Sequence, residues 1–303
     1  MAMAHASTAS RVPVGIGRVL AWPGGSLWVG RRVGRVPEHA HHAIQVSLAL
    51  EGRFRASARV WPQACETAGM VVMPDQRHSI DGCGATLASV FVEPNSFAGA
   101  ALRTRFAGMP IASLADDEAA ACAALLRDEF LSGAADSRLA GFARAAICRI
   151  AGDPQIAPPT DARITSALAW MRARLATPIR LQDVAAAVHL SPGRFRHLFV
   201  AQTGTSFRAW LLWARAEQAI AAANQGMSWT AAAQEAGFAD AAHFTRTCRR
   251  VFGIAPTMLA FEAVMATRPP ARAGYSSAFT PRPACTGSTA PCMRRPAATS
   301  TPA

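Results

Sequence analysis

A pattern that occurs twice in the last third of the chain restricts the fold more than any other feature of the sequence. Residues 181–204 read LQDVAAAVHLSPGRFRHLFVAQTG and residues 231–253 read AAAQEAGFADAAHFTRTCRRVFG. An offset of 49 lays Ser191 on Asp240, Phe195 on Phe244, His197 on Arg246, Leu198 on Thr247 and Gly204 on Gly253, and one extra residue, Ala239, lengthens the second turn. In the first copy Leu181, Val184, Ala185 and Val188 fall at i, i+3, i+4 and i+7, one face of a short helix. A turn through His189 and Leu190 follows. Ser191 then caps a new helix with Pro192 at its first position, where the missing N–H costs nothing. Two short helices joined by a tight turn form a helix-turn-helix. Between the copies, SFRAWLLWARAEQAIAAANQG reads as one long helix, capped by Ser206 and stopped by Gly226, which would hold the copies in a fixed relation.

In each copy the second helix divides into two faces. Phe195, Leu198 and Phe199, and likewise Phe244, Thr247, Cys248 and Val251, form inward stripes. Gly193, Arg196, His197 and Val200, and Ala242, Thr245, Arg246 and Arg249, point outward. A major groove admits one such helix. Two on a common rod, spaced near one helical turn of about 34 Å, would enter successive grooves. The charge agrees, since residues 161–262 hold 11 arginines against 6 acidic residues, a net charge of +5, whereas residues 1–160 carry only +2. The chain has no lysine, so every basic side chain outside the histidines is a planar fork suited to phosphate or a guanine edge. The absence of lysine itself fits a general coding bias better than a binding role.

The sequence upstream is of a different kind. From Val12 to about Val92, short β-prone runs such as SLWVGRRVGRV, AIQVSLAL and TLASVFVEP are broken by Gly and Pro. They predict an antiparallel β-barrel over residues 11–100, so the chain as a whole is read as α+β, with an all-α second domain. Over 111–150, Leu125, Leu126, Phe130, Leu139, Phe142, Ala146 and Ile150 recur at helical steps and predict amphipathic helices that cover the barrel or pair two subunits. GDPQIAPPT marks a linker over 151–160. The double motif occupies 161–262, with Thr160 or Asp161 capping its first helix. Residues 1–10 and the Pro/Ser/Thr-rich tail 263–303 are expected to be disordered. Seven scattered cysteines without C-x-x-C pairing fit reduced thiols. With no secretory leader and no long apolar run, a cytoplasmic protein away from membranes is expected.

The stretch LQDVAAAVHL through FGIAPTMLAF, with its GF-x-D-x-x-x-F-x-R turn and helix and closing FG-x-x-P, resembles the DNA-binding domain of the AraC/XylS transcriptional regulators over about 100 residues. The resemblance implies a transcription regulator, of activator type in many members, that binds double-stranded DNA and works with RNA polymerase. It implies DNA contacts from Gly193, Arg194, Arg196 and His197 on the first reading helix and from Ala242, Thr245, Arg246 and Arg249 on the second. Two positions depart from the family pattern. His189 stands where glycine is common in the turn, which histidine tolerates, and Cys248 replaces the aromatic residue found at the matching Phe199.

GRVPEHAHHAIQVSLALEG followed by GMVVMPDQRHSI resembles the cupin-type sensory domain found in the same family. Metal-binding cupins use H-x-H, a nearby carboxylate and a distant histidine. Here His39, His41 and His78 match, but Gln45 stands in the carboxylate's place, so a hard ion loses its charged ligand. The expectation is therefore no metal and no cofactor, and a small-molecule effector pocket walled by His39, His41, Gln45, Phe54, Trp61 and His78. Trp28 and Trp61 also read as plain core residues. A metalloenzyme fused to a DNA-binding module is the alternative. No phosphate-binding loop, nucleophile elbow or H-E-x-x-H occurs, and catalysis is not expected.

Overall fold

Alternating and β-branched runs in the first hundred residues become strands because they can bury one face or both, and the computed structural model shows which. It describes residues 14–61, 63–152 and 161–262. The expected disordered start at 1–10, the tail at 263–303 and the linker over 153–160 lie outside the described residues. The strands are β1 (Gly15–Trp22), β2 (Gly25–Arg31), β3 (Arg35–His39), β4 (Ile44–Glu51), β5 (Phe54–Ala58), β6 (Cys65–Thr67), β7 (Gly69–Val72), β8 (His78–Asp81) and β9 (Thr86–Val92). Helix α1 (Phe97–Arg105), strand β10 (Ile111–Ser113), and helices α2 (Asp116–Leu131) and α3 (Asp136–Ala151) follow.

Two sheets result. The larger runs β10-β7-β4-β9-β2-β1 with one further strand at its edge, and the smaller runs β3-β8-β5-β6. Pairings within this half are antiparallel, as expected for a barrel-like sandwich. Strand β4 is buried along both faces. Ile44, Val46, Leu48 and Leu50 form one cluster with Leu126, Phe130, Leu139 and Ile147 of α2 and α3. The intervening Gln45 and Ser47 turn the other way, toward the second sheet, and so place polar groups inside the sandwich. Residues 111–113 form a strand where helix was expected, because β10 extends the sheet alongside β7. The apolar stripes of α2 and α3 are spent on the sheet and on each other, with Leu125 and Phe142 partly buried against the same cluster.

The second half is helical: α4 (Ala162–Arg172), α5 (Leu181–Ala187), α6 (Pro192–Thr203), α7 (Phe207–Asn224), α8 (Trp229–Glu235) and α9 (Ala241–Phe252). The caps follow the sequence. Asp161 accepts from Arg163 N, Ser191 from Arg194 N, Ser206 from Ala209 N, and Asp240 from His243 N. His189 takes the left-handed conformation at φ 56°, and Gly237 does so at the matching turn at 81°.

Two cores sit under the two motifs. Ile164, Leu168, Met171, Val184, Phe195, Phe199 and Trp210 pack beneath α5 and α6. Beneath α8 and α9, Ile220, Phe244, Cys248, Val251 and Phe252 share one cluster with Val14, Val19 and Phe91 of the barrel. The expectation of an all-α second domain needs one amendment. After a turn at Pro256–Met258, β11 (Leu259–Phe261) pairs in parallel with β1, Gly15 opposite Leu259 and Gly17 opposite Phe261, and becomes the edge strand of the larger sheet.

Candidate nucleic-acid interface and effector cleft

Helix periodicity decides which side chains of α6 and α9 reach solvent. On α6, Phe195 and Phe199 are fully buried, while Gly193, Arg194, Arg196, His197 and Val200 are exposed. On α9, Phe244, Thr247 and Cys248 are buried, and Ala242, Arg246 and Arg249 are exposed with Thr245 half-buried. Burial pushes the Cys248 thiol well up, so it behaves as a small core residue. Among the described residues, Arg194, Arg196, Arg246 and Arg249 enter no salt bridge. Other arginines of this half are engaged: Arg163 with Asp161, Arg172 with Glu93, and Arg215 with the Leu175 and Thr177 carbonyls. Arg246 does not close an ion pair with Glu235 or Asp240. The Asp240 carboxyl is held below the usual range first by the His243 backbone N–H, with Arg246 a lesser influence. The Thr245 hydroxyl donates back to the Ala241 carbonyl at 2.8 Å.

The histidines form the second constellation. His39 and His78 pair across β3 and β8, and His39, His41 and His78 each present a ring nitrogen within 4.8 Å of the other two. Their Nδ1 atoms each lie 2.9 Å from a backbone oxygen, of Pro37, Ala43 and Gln76 respectively. Those contacts fix Nδ1 as the protonated nitrogen and leave Nε2 bare. Burial depresses all three pKa values, His41 to about 3 and His78 to about 2, so the rings are neutral. The Gln45 amide stands 2.9 Å and 3.0 Å from the His41 and His78 Nε2 atoms and 2.9 Å from Ser47 Oγ. In the structure Gln45 Oε1 faces the two imidazoles and Nε2 donates to Ser47 Oγ; because each ring carries its proton on Nδ1, exchanging the two ends of the amide is what satisfies every partner. The three unprotonated Nε2 atoms, two of them facing the Gln45 amide, could hold a divalent ion of the imidazole-binding kind, and the set contains no carboxylate.

Of the six residues expected to wall an effector pocket, the structure brings four together: His39, His41, His78 and Gln45. Phe54 and Trp61 stand apart, in a cluster with Val72, Ile80 and Leu87. A cleft of about 120 Å3 opens to solvent, and it is built differently from the expectation. Trp28, His39, Gln45 and Phe91 wall it from the barrel, and Phe252, Ile254 and Phe261 from the segment that ends α9 and forms β11.

Trp213 of α7 binds this junction together, with ring centroids 4.9 Å from Phe252, 5.4 Å from Phe91 and 5.4 Å from His41. Polar contacts flank it. The Glu217 carboxyl accepts from Ser26 Oγ at 2.6 Å, Asn224 Nδ2 donates to the Val19 carbonyl at 3.2 Å, and Arg172 pairs with Glu93. Burial, with a smaller push from Glu93, raises the Glu217 pKa to about 7.

Residues 184–260 match the family model described as Helix-turn-helix domain. The regulatory protein PocR of Salmonella typhimurium is 31% identical over 103 residues, 32% of this chain and 33% of PocR. The chain thus matches about a third of the length of this curated relative. Among solved structures, apo ToxT of Vibrio cholerae superposes with a TM-score of 0.50 at 12% identity, over 78% of this chain and 97% of that one, which fixes the two-domain fold. An AraC-type DNA-binding domain protein from Chromobacterium violaceum is 28% identical over 32% of this chain and 87% of its own, with a TM-score of 0.31. Residues 184–260 thus carry a helix-turn-helix domain similar to the one in these regulators. The double motif is readable from the sequence. The cleft is not, because its walls come from residues more than two hundred positions apart in the chain and the outer wall, β11, is three residues long. Only the parallel pairing with β1 brings them together.

Proposed function

We propose that this chain is a transcription regulator that reads double-stranded DNA with α6 and α9 and is controlled by a small molecule held in the cleft between barrel and helical half. The observation that carries the reading is the pair of exposed reading faces whose guanidiniums lack carboxylate partners. Arg196 on α6 and Arg246 on α9 are free to form bidentate contacts with guanine or phosphate. The DNA-contacting set is Gly193, Arg194, Arg196, His197, Ala242, Thr245, Arg246 and Arg249. With Gly193 and Ala242 small, base choice falls to Arg196, His197, Thr245 and Arg246. A regulator of this kind acts at promoters, where RNA polymerase is its partner. Pairing of two copies through residues 115–150 finds no support, since those stripes face the sheet. Genome-wide mapping of bound DNA tests the reading. It predicts recurrent sites and an affinity that falls steeply with salt as counterions are released; salt-insensitive or site-independent retention contradicts it.

The histidine cluster favours one alternative, a metal-dependent enzyme joined to a DNA-binding module. His39, His41 and His78 would hold the ion, which would supply Lewis-acid chemistry. Metal analysis of the purified protein separates the two, because an enzyme of this kind requires a stoichiometric ion and the regulator does not.

A further inference from the structure

The cleft has a chemical character of its own. Arg18 is the cation among its lining residues, and its guanidinium is already held by the Asp136 carboxylate and the Ala134 carbonyl. The remaining walls are mainly aromatic and aliphatic. An anion entering would give up water and find no free counter-charge, an unfavourable exchange. Two polar atoms are nonetheless left over. Trp28 Nε1 is buried without an acceptor, in a side chain that lines the cleft and stacks at 4.6 Å on Phe252. His39 commits Nδ1 to the Pro37 carbonyl and keeps Nε2 as an acceptor. A buried donor without a partner carries a desolvation cost that a ligand oxygen would relieve.

The outer wall is also the end of the DNA-reading motif. Phe252 is the last residue of α9, and Gly253 caps it so close to β3 that a Cβ there would lie 2.7 Å from the Pro37 oxygen. From there the chain returns as β11, tied to the barrel by Val14 N to the Met258 oxygen at 2.9 Å, by Glu262 N to the Gly17 oxygen at 2.8 Å, and by the Arg31–Glu262 ion pair. Whatever occupies the cleft therefore touches both the barrel and the strap that follows α9.

We propose that the cleft takes an uncharged, largely apolar molecule bearing one hydroxyl or carbonyl oxygen, to which Trp28 Nε1 donates, and that residues 256–262 act as the strap through which its presence reaches α9. This rests on the reading of the chain as an effector-controlled regulator. It excludes carboxylates as the preferred class. Occupancy adds apolar contact to Phe252, Ile254 and Phe261 and so tightens the strap on β1.

The test uses the full chain with two matched probes, 4-propylphenol and 4-propylbenzoate, titrated by calorimetry, with hydrogen exchange followed in 256–262 and DNA binding measured on the same preparation. The expected result is a phenol at least about tenfold tighter than the benzoate, the counterpart of about 1.4 kcal/mol, and strap amides that exchange more slowly when the phenol is bound. Trp28→Phe, which keeps a ring and deletes the donor, should weaken the phenol by about fivefold, the size of one hydrogen bond. A tighter benzoate, no binding of either probe, or phenol binding with unchanged strap exchange overturns the inference. The probe comparison on the parent chain needs no variant to fold. If site-specific DNA binding persists in any of those negative cases, the failure is confined to this inference. If DNA binding is absent with and without probe, the regulator reading fails and the inference falls with it.

Discussion

Gly204 and Gly253 end α6 and α9 with the same left-handed cap, at φ 75° and 74°. A methyl group on the first would meet open space, whereas on the second it would strike the Pro37 oxygen at 2.7 Å and His39 Nδ1 at 2.9 Å. The two copies of the motif are thus alike in local chemistry and different in what lies beneath them. The first rests on a core drawn from α4, α5, α6 and the start of α7. The second shares its core with the barrel and borders the cleft. Duplication supplies two helices of one pattern, and of the two only the second shares its hydrophobic core with the barrel among the described residues.

The largest effect that could break this contrast comes from the aromatic hubs. Trp213→Ala and Phe199→Ala should each cost about 3 to 5 kcal/mol of stability in denaturant unfolding. Hydrogen exchange should then separate them: Trp213→Ala loosens the barrel junction and α9 together, while Phe199→Ala loosens α5 and α6 and leaves β11 protected. Equal loosening of both regions by both variants would erase the distinction.

Reading faces come next. Arg246→Ala and Arg196→Ala should each weaken binding to a mapped site by about 1 to 3 kcal/mol in a gel-shift titration and relax base preference in their own half of the site. The two losses should add, because the residues share no partner.

Caps give a smaller and more pointed test. Gly204→Ala should cost about 1 to 2 kcal/mol, the strain of a left-handed non-glycine residue. Gly253→Ala adds a backbone collision to the same strain and should cost clearly more, with the excess visible as faster exchange at β11.

The smallest effect is one of pH. The Glu217 carboxyl, at the barrel junction, ionises near 7 in the folded chain against an ordinary value of 4.5. Between those values the folded chain holds the extra proton, so this group makes stability fall as pH rises through the window. Glu217→Gln should remove that slope and gain relative to the parent above pH 7. His41 and His78, depressed to about 3 and about 2, act oppositely, favouring the folded chain as pH climbs toward 6.5, so the difference between variant and parent isolates Glu217.

What the sequence disclosed follows from range. Caps, turns and helix faces are decided within a few residues, so Ser191, Asp240, Ser206, Asp161 and the left-handed His189 were legible, as was the split between buried Phe195 and exposed Arg196. The histidine cluster was legible because His39 ends β3 with His41 two residues on, and the partner strand β8 carries His78 opposite His39. The cleft depended on long-range placement. Phe54 and Trp61 are suitable wall residues by type, but β5 turns Phe54 into the cluster with Val72 and Ile80, and the true wall residues Trp28, Phe91 and Phe252 resemble ordinary core. Strand β11 had no alternation long enough to announce it, and β10 was absorbed into a helical stretch for the same reason.

The most direct test of the central claim is a hydroxyl-radical footprint of the full chain on a site recovered by genome-wide mapping, repeated with Arg196→Ala and Arg246→Ala. Two protected patches about 34 Å apart on one face of the duplex, each lost in turn with its own arginine, are what twin reading helices predict. A single patch indifferent to one of the two arginines would contradict it.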